Sequence, residues 1–247
     1  MITRTSRLLG LGLAVVLGAA CDGGDDGAAK LPPGTPTEAE VAQTPRADVL
    51  AERLALRCQD ALIADEARYA AIKRDLDAIA AVRGARPTDH FTEAPLSLYL
   101  DLPPDVDARL LSGGDPAFDA LNDRLRATVH DRPSVRASLG DAGLDVLFVG
   151  EYRADAVWAL YAAVLGLDGP PATSAIVGDG DTIAYDLTAE PHLYVVSIGS
   201  GDCPSGCMFH TQELWTVDEQ GAASLVADLP GGRTVCRRDG LGAFPRR

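Results

Sequence analysis

The sequence predicts an α+β fold with helices first and strands last, and three observations carry that prediction. Between Thr44 and Gly84, apolar residues recur at steps of three and four. After residue 174 the chain breaks into short β-branched or aromatic runs separated by turn residues. Apolar side chains make up 47% of the chain, which argues for a packed core and against disorder. Helices followed by strands, rather than strict alternation, is the α+β order.

The elements follow in turn. Thr44-Pro45 reads as a helix start, with the hydroxyl as cap and proline in the first turn. A long amphipathic helix is expected over 45–84. Its stripe is Leu50, Leu54, Cys58, Leu62, Tyr69, Ile72, Leu76 and Ile79, with one longer gap around Asp65, and Gly84 stops it. The stripe is too short and too interrupted for sustained heptads, so the helix is expected to pack on its own domain. SLYLDL (97–102) reads as a strand. Val106–Leu111 and Pro116–Ala127 read as helices, the second with Phe118, Leu121 and Leu125 on one face. Leu144–Val149 reads as a strand and Ala154–Leu167 as a helix. SAIVG, TIAYDL, HLYVVSIG, MFHTQELWTV and AASLVADL then form an antiparallel β meander over 174–230. Residues 45–247 are expected to make one α+β domain.

The first 20 residues have another character. Arg4 and Arg7 precede an apolar run, Leu8 to Leu17, which ends in Gly18-Ala19-Ala20. That is the layout of a secretory signal peptide. The run is well short of the ~20 apolar residues that cross a bilayer. Val16-Leu17-Gly18-Ala19-Ala20-Cys21 resembles the lipobox of bacterial lipoproteins, although Gly18 stands where leucine is usual and Leu17 falls one step early. The resemblance covers residues 1–21 only. It implies that Cys21 becomes the acylated (palmitate-bearing) first residue of the mature chain. Several acyl chains on one cysteine would make a durable anchor, since one chain alone binds marginally at about 0.8 kcal/mol per buried CH₂. Residues 21–44 are then expected to be the lipidated cysteine and a disordered Gly/Pro/Asp-rich linker that holds the domain off the headgroups.

Charge narrows the partners. The net charge is −14, and removal of residues 1–20 with their two arginines takes it to −16. Such a chain is repelled by nucleic acid and by anionic headgroups, so no nucleic acid is expected as partner. The expected contact is a membrane through the anchor, with a protein or small-molecule ligand that the sequence does not name. Beyond Cys21 the cysteines are Cys58, Cys203, Cys207 and Cys236. An even set in an exported chain reads as two disulfides, with three pairings open. The tight-turn residues of Gly201-Asp-Cys203-Pro-Ser-Gly-Cys207 favour Cys203 with Cys207, leaving Cys58 to Cys236.

Catalytic signatures such as GxSxG, HExxH, a Walker A loop or a helix-opening GxGxxG are absent. The histidines His90, His130, His192 and His210 have no distinctive neighbours and read as surface or strand residues. Cys203-Pro-Ser-Gly-Cys207-Met-Phe-His210 has two sulfurs and an imidazole, which suit zinc or copper. Its spacing is not a standard one, and a disulfide pinning a hairpin is the expected role. The segment is similar to stretches of exported bacterial proteins without an assigned activity. Gly178-Asp-Gly-Asp181-Thr182 carries carboxylates but lacks a calcium loop's closing glutamate, so a polar turn is expected. No catalytic residue, metal or cofactor is expected. The predicted protein is a lipid-anchored envelope protein, facing the periplasm or exterior, acting as a non-enzymatic binding or structural module. The alternatives are a hydrolase-like exported enzyme with a scattered site, and a metal-binding protein using Cys203, Cys207 and His210.

Overall fold

A computed structural model describes residues 29–90, 96–131, 142–169, 172–173, 180–188, 190–201, 207–227, 234–237 and 240–243. The helices among them are α1 (Glu38–Val41), α2 (Val49–Leu56), α3 (Glu66–Arg83), α4 (Pro104–Gly113), α5 (Pro116–Leu125) and α6 (Ala154–Leu165). The strands are β1 (Ser97–Leu102), β2 (Ala127–Asp131), β3 (Ala142–Phe148), β4 (Ala172–Thr173), β5 (Thr182–Asp186), β6 (His192–Ser200), β7 (Phe209–Val217), β8 (Ala223–Val226), β9 (Thr234–Arg237) and β10 (Gly240–Ala243). They build two antiparallel sheets, one ordered β2-β3-β1-β4 and one ordered β10-β9-β5-β6-β7-β8. The fold is α+β. Among the described residues, no helix is long and apolar enough to cross a membrane.

Each sheet owns a core. Alternation along β1 and β3 turns Leu98, Leu100, Leu102, Leu144, Val146 and Phe148 to one side, where α5 and α6 lay Phe118, Leu121, Leu125, Val157, Leu160 and Tyr161 against them. The second core joins distant parts of the chain. Leu54 of α2 and Ile72, Leu76 and Ile79 of α3 pack on Ile183, Tyr185, Tyr194, Val196, Trp215 and Val217 of the six-stranded sheet. β6 is one of its two central strands, and its first five residues, His192 to Val196, are all buried.

Several expectations need correction. The run 45–84 is two helices, not one; its longer member is the 18-residue α3. Asp48 caps α2 by accepting from the Ala51 amide, and Asp65, at the gap in the stripe, caps α3 by accepting from the Arg68 amide. Between them Cys58 takes a left-handed φ of 54°. The break lets Leu62 and Ile63 turn away and pack against the first core. Thr44-Pro45 is a cis peptide and starts no helix. The buried Thr44 hydroxyl instead accepts from the Glu151 amide at 2.6 Å and donates to the Glu151 carbonyl at 3.2 Å.

The linker is also shorter than expected. Residues 29–44 are structured: Thr37 and Glu40 form a capping box on α1, Val41 is 2% exposed, and Leu31 packs against the first core. The antiparallel meander expected over 174–230 is present as β5-β6-β7-β8. β9 returns to the opposite edge and meets β5, with Tyr185 opposite Cys236. The expected strand SAIVG lies outside the described residues. β2, which the sequence reading assigned partly to the preceding helix, begins directly after Arg126, the left-handed cap of α5.

Between the cores lies a charged seam. The Arg53 guanidinium grips the Glu151 carboxylate with two donors, and Glu52 beside it is fully buried. The Arg46 amide donates to Glu52 at 2.6 Å. Burial pushes the Glu52 carboxyl above its ordinary 4.5, outweighing that hydrogen bond. A raised folded-state value means that the native chain holds a proton the unfolded chain has released. Its stabilising contribution is therefore complete below the ordinary value and is lost as pH rises through the raised one. Glu52→Gln, which keeps an acceptor for the Arg46 amide, is expected to gain stability relative to the native chain between pH 4 and pH 7. Denaturant unfolding at the two pH values checks this; a difference that does not change with pH would refute it.

Candidate functional site

The densest set of interacting chemical groups lies where α3 crosses the start of β6. On α3 the buried residues are Ile72, Asp75, Leu76 and Ile79, so Asp75 occupies an apolar-stripe position with 0% exposure. β6 sends His192 and Tyr194 toward it from the same strand face. His192 Nδ1 lies 2.6 Å from Asp75 Oδ2, and the Tyr194 hydroxyl donates to the same oxygen at 2.9 Å. Arg74 Nε donates to Asp75 Oδ1 at 2.8 Å. His192 Nε2 is 3.0 Å from Glu190 Oε1, a carboxylate 39% exposed.

The proton arrangement follows from the acceptors. A carboxylate only accepts, so the 2.6 Å contact puts a hydrogen on Nδ1. Arg74, 3.4 Å from that nitrogen, is then a neighbour and not its donor. Burial first, and the Asp75 charge next, push the Tyr194 phenol well above its ordinary 10. Hydrogen bonding to Asp75 raises Arg74.

An Asp–His pair is two-thirds of a hydrolase triad, and the third position decides the chemistry. Here the Nε2 side faces Glu190, where a triad would place a hydroxyl or thiol. The Tyr194 hydroxyl is held protonated and is spent on Asp75. What the arrangement does is clamp: Asp75 ties α3 to β6, and Glu190 ties the preceding turn to His192.

The other three histidines lie elsewhere. His130 is exposed on β2 and stands opposite Asp145 of β3, which in turn stands opposite Tyr99 of β1. His90 and His210 each lie near the far end of β6, linked through Asp181 and Gly199. The His90 amide donates to the Asp181 carbonyl at 2.8 Å, the Gly199 amide donates to Asp181 Oδ1 at 3.0 Å, and His210 is the strand partner of Gly199. The Asp181 carboxylate is engaged there, since Thr88 also donates to it at 2.7 Å. It acts as a turn clamp; Gly178 and Asp179 of the same acidic stretch lie outside the described residues.

Cys58 and Cys236 form a disulfide with Cα atoms 5.9 Å apart, across 178 residues of sequence. Cys207 is also disulfide-bonded, which removes its sulfur as a thiolate ligand for metal. Its expected partner Cys203, like Cys21, lies outside the described residues. The Cys207 sulfur packs against Gly199, where an added Cβ would sit 2.3 Å from it, so a side chain there would clash. No group of three or more His, Cys, Asp or Glu side chains among the described residues could hold a metal ion.

Sequence reasoning missed Asp75. The signal was present, because an acid at step three between Ile72 and Leu76 interrupts an otherwise apolar face. Its partners, 117 and 119 residues away, left no trace.

The molecule is thus defined as a two-core α+β protein with a buried Asp–His–Tyr clamp and a long-range disulfide. No family model, curated protein or solved structure matches the chain.

Proposed function

We propose that the chain is a lipid-anchored envelope protein, tethered through Cys21, whose folded part is a non-enzymatic binding or structural module. The Cys58–Cys236 disulfide carries this reading, because such bonds persist in oxidising compartments outside the cytosol. Arg4, Arg7, the apolar run to Leu17 and Cys21 supply the matching address. The clamp around Asp75 supports the non-enzymatic part, since its histidine faces a second carboxylate in place of a nucleophile. The membrane is the partner at the anchor, with a protein or small-molecule ligand for the domain. The charge of the chain disfavours nucleic acid.

The test expresses the full chain and Cys21→Ser in a bacterium that acylates lipoproteins, with a labelled fatty acid and membrane fractionation. Label and membrane association are expected for the native chain and lost for Cys21→Ser. Equal labelling and partition of both would refute the anchor. Ester or amide hydrolysis by the native chain that is abolished in a folded His192→Ala chain would refute the non-enzymatic part.

A further inference from the structure

We infer that His192 is a proton-operated latch. As the imidazolium cation it ties the turn entering β6 to the α3–β6 crossing, and as the neutral ring it lets that turn go. The two ring nitrogens carry the argument. Nδ1 lies 2.6 Å from Asp75 Oδ2, and Nε2 lies 3.0 Å from Glu190 Oε1. A neutral imidazole has one N–H and can donate to only one carboxylate. Serving both acceptors takes a hydrogen on each nitrogen, which is the charged form. The inference stands apart from the proposed acylation of Cys21.

The surrounding charges fit that form. Arg74 and Asp75 face the ring from α3, Glu190 from the turn, and the Tyr194 phenol approaches the same carboxylate from β6. β7 places the apolar Val217 opposite His192. Asp186 of the neighbouring β5 pairs with Leu193, and its carboxylate accepts from the Thr188 amide and hydroxyl. Asp75 and Glu190 thus set two negative charges against Arg74 and the imidazolium. The sum is zero, and a neutral ring would leave one carboxylate in excess.

The two ends of the ring are not equivalent. The Asp75 side chain is fully buried, whereas that of Glu190 is 39% exposed. Losing a donor costs most where water cannot replace it. The hydrogen that passes to water is therefore the one on Nε2, and Nδ1–H stays with Asp75. Glu190 then faces a bare lone pair, acceptor against acceptor, and turns to solvent. The crossing itself holds, because Asp75 keeps the Nδ1, Tyr194 and Arg74 donors.

The test follows the imidazole nitrogens of the full chain, labelled with ¹⁵N-histidine, by NMR across pH 5 to 8, the interval in which histidine ordinarily changes charge. The chain has four histidines, and His90→Gln, His130→Gln and His210→Gln, made singly, assign the remaining signal to His192. Both nitrogens are expected to carry hydrogen at the acid end. As the pH rises, Nε2 alone becomes bare, and the Glu190 and His192 backbone amides shift with the same midpoint. Glu190→Gln changes a partly exposed position and supplies an amide that can donate to the bare nitrogen. In that chain Nε2 is expected to lose its hydrogen at lower pH, with amide shifts at positions 190 and 192 several-fold smaller. A ring already singly protonated at the acid end, or one that gives up the Nδ1 hydrogen first, would overturn the latch. So would a Glu190→Gln chain whose Nε2 transition and amide shifts match those of the native chain.

Discussion

Cys58→Ser is expected to lower the melting temperature of the oxidised protein by about 10–20 °C. The bond joins residues 178 apart, and in the chain-entropy account a loop of that length is worth about 5 kcal/mol. The location adds to the effect. Cys58 follows α2 with a left-handed φ, and Cys236 sits on β9, which meets the rest of its sheet at Tyr185 of β5. Without the bond, β9 keeps its pairing with β5 and β10 but loses its covalent tie to the end of α2. Cys207→Ser is expected to cost only about 2 kcal/mol if Cys203 is its partner, because the loop closed is a few residues long. Thermal unfolding of both variants without reductant, beside a mass-spectrometric disulfide map, decides the matter. A similar loss for both, or a map that joins Cys58 to any residue except Cys236, would refute the assignment.

The second large effect is expected at Asp75. Removing one member of a buried charged network leaves its partners desolvated and unsatisfied, at a typical cost of 3–5 kcal/mol. Asp75→Ala strands His192 and Tyr194, both buried, so a loss at about that level is expected, with a melting temperature lower by roughly 10 °C. Tyr194→Phe removes one hydrogen bond to the carboxylate and keeps the ring in the core, so about 1.5–3 kcal/mol is expected. Denaturant titrations of the two variants give the comparison. Loss of less than 1 kcal/mol in Asp75→Ala would show that the clamp contributes little.

How far the sequence revealed this molecule depends on how local each signal was. The Phe118-Leu121-Leu125 face announced α5, and all three residues are buried as that pattern requires. HLYVVSIG and MFHTQELWTV announced β6 and β7, which pair along their full length from His192–Val217 to Ser200–Phe209. The Cys58–Cys236 bond followed from counting cysteines and from the turn chemistry between Cys203 and Cys207. Signals that require a distant partner were illegible. Thr44 resembled a helix cap because its true partner, Glu151, is 107 residues on. Residues 29–44 resembled a linker because Leu31, Pro36 and Val41 are too sparse to suggest a core of their own; they complete one made elsewhere. Asp75 followed the same pattern, since a lone acid in a helix acquires meaning only from a histidine and a tyrosine that arrive more than a hundred residues later.

The division into two cores has a consequence for the order in which the molecule can assemble. A chain leaves the ribosome N-terminus first. α2 and α3 are complete early, yet Leu54, Ile72, Leu76 and Ile79 have nothing to cover them until Tyr185, Tyr194, Trp215 and Val217 have been made. The first core is mostly encoded in the interval between, from Leu98 to Leu167, and can close while the helices wait. For the time it takes to synthesise some 130 residues, the nascent chain carries an uncovered apolar helix pair. Strands β5 to β7 are the ones that end that exposure.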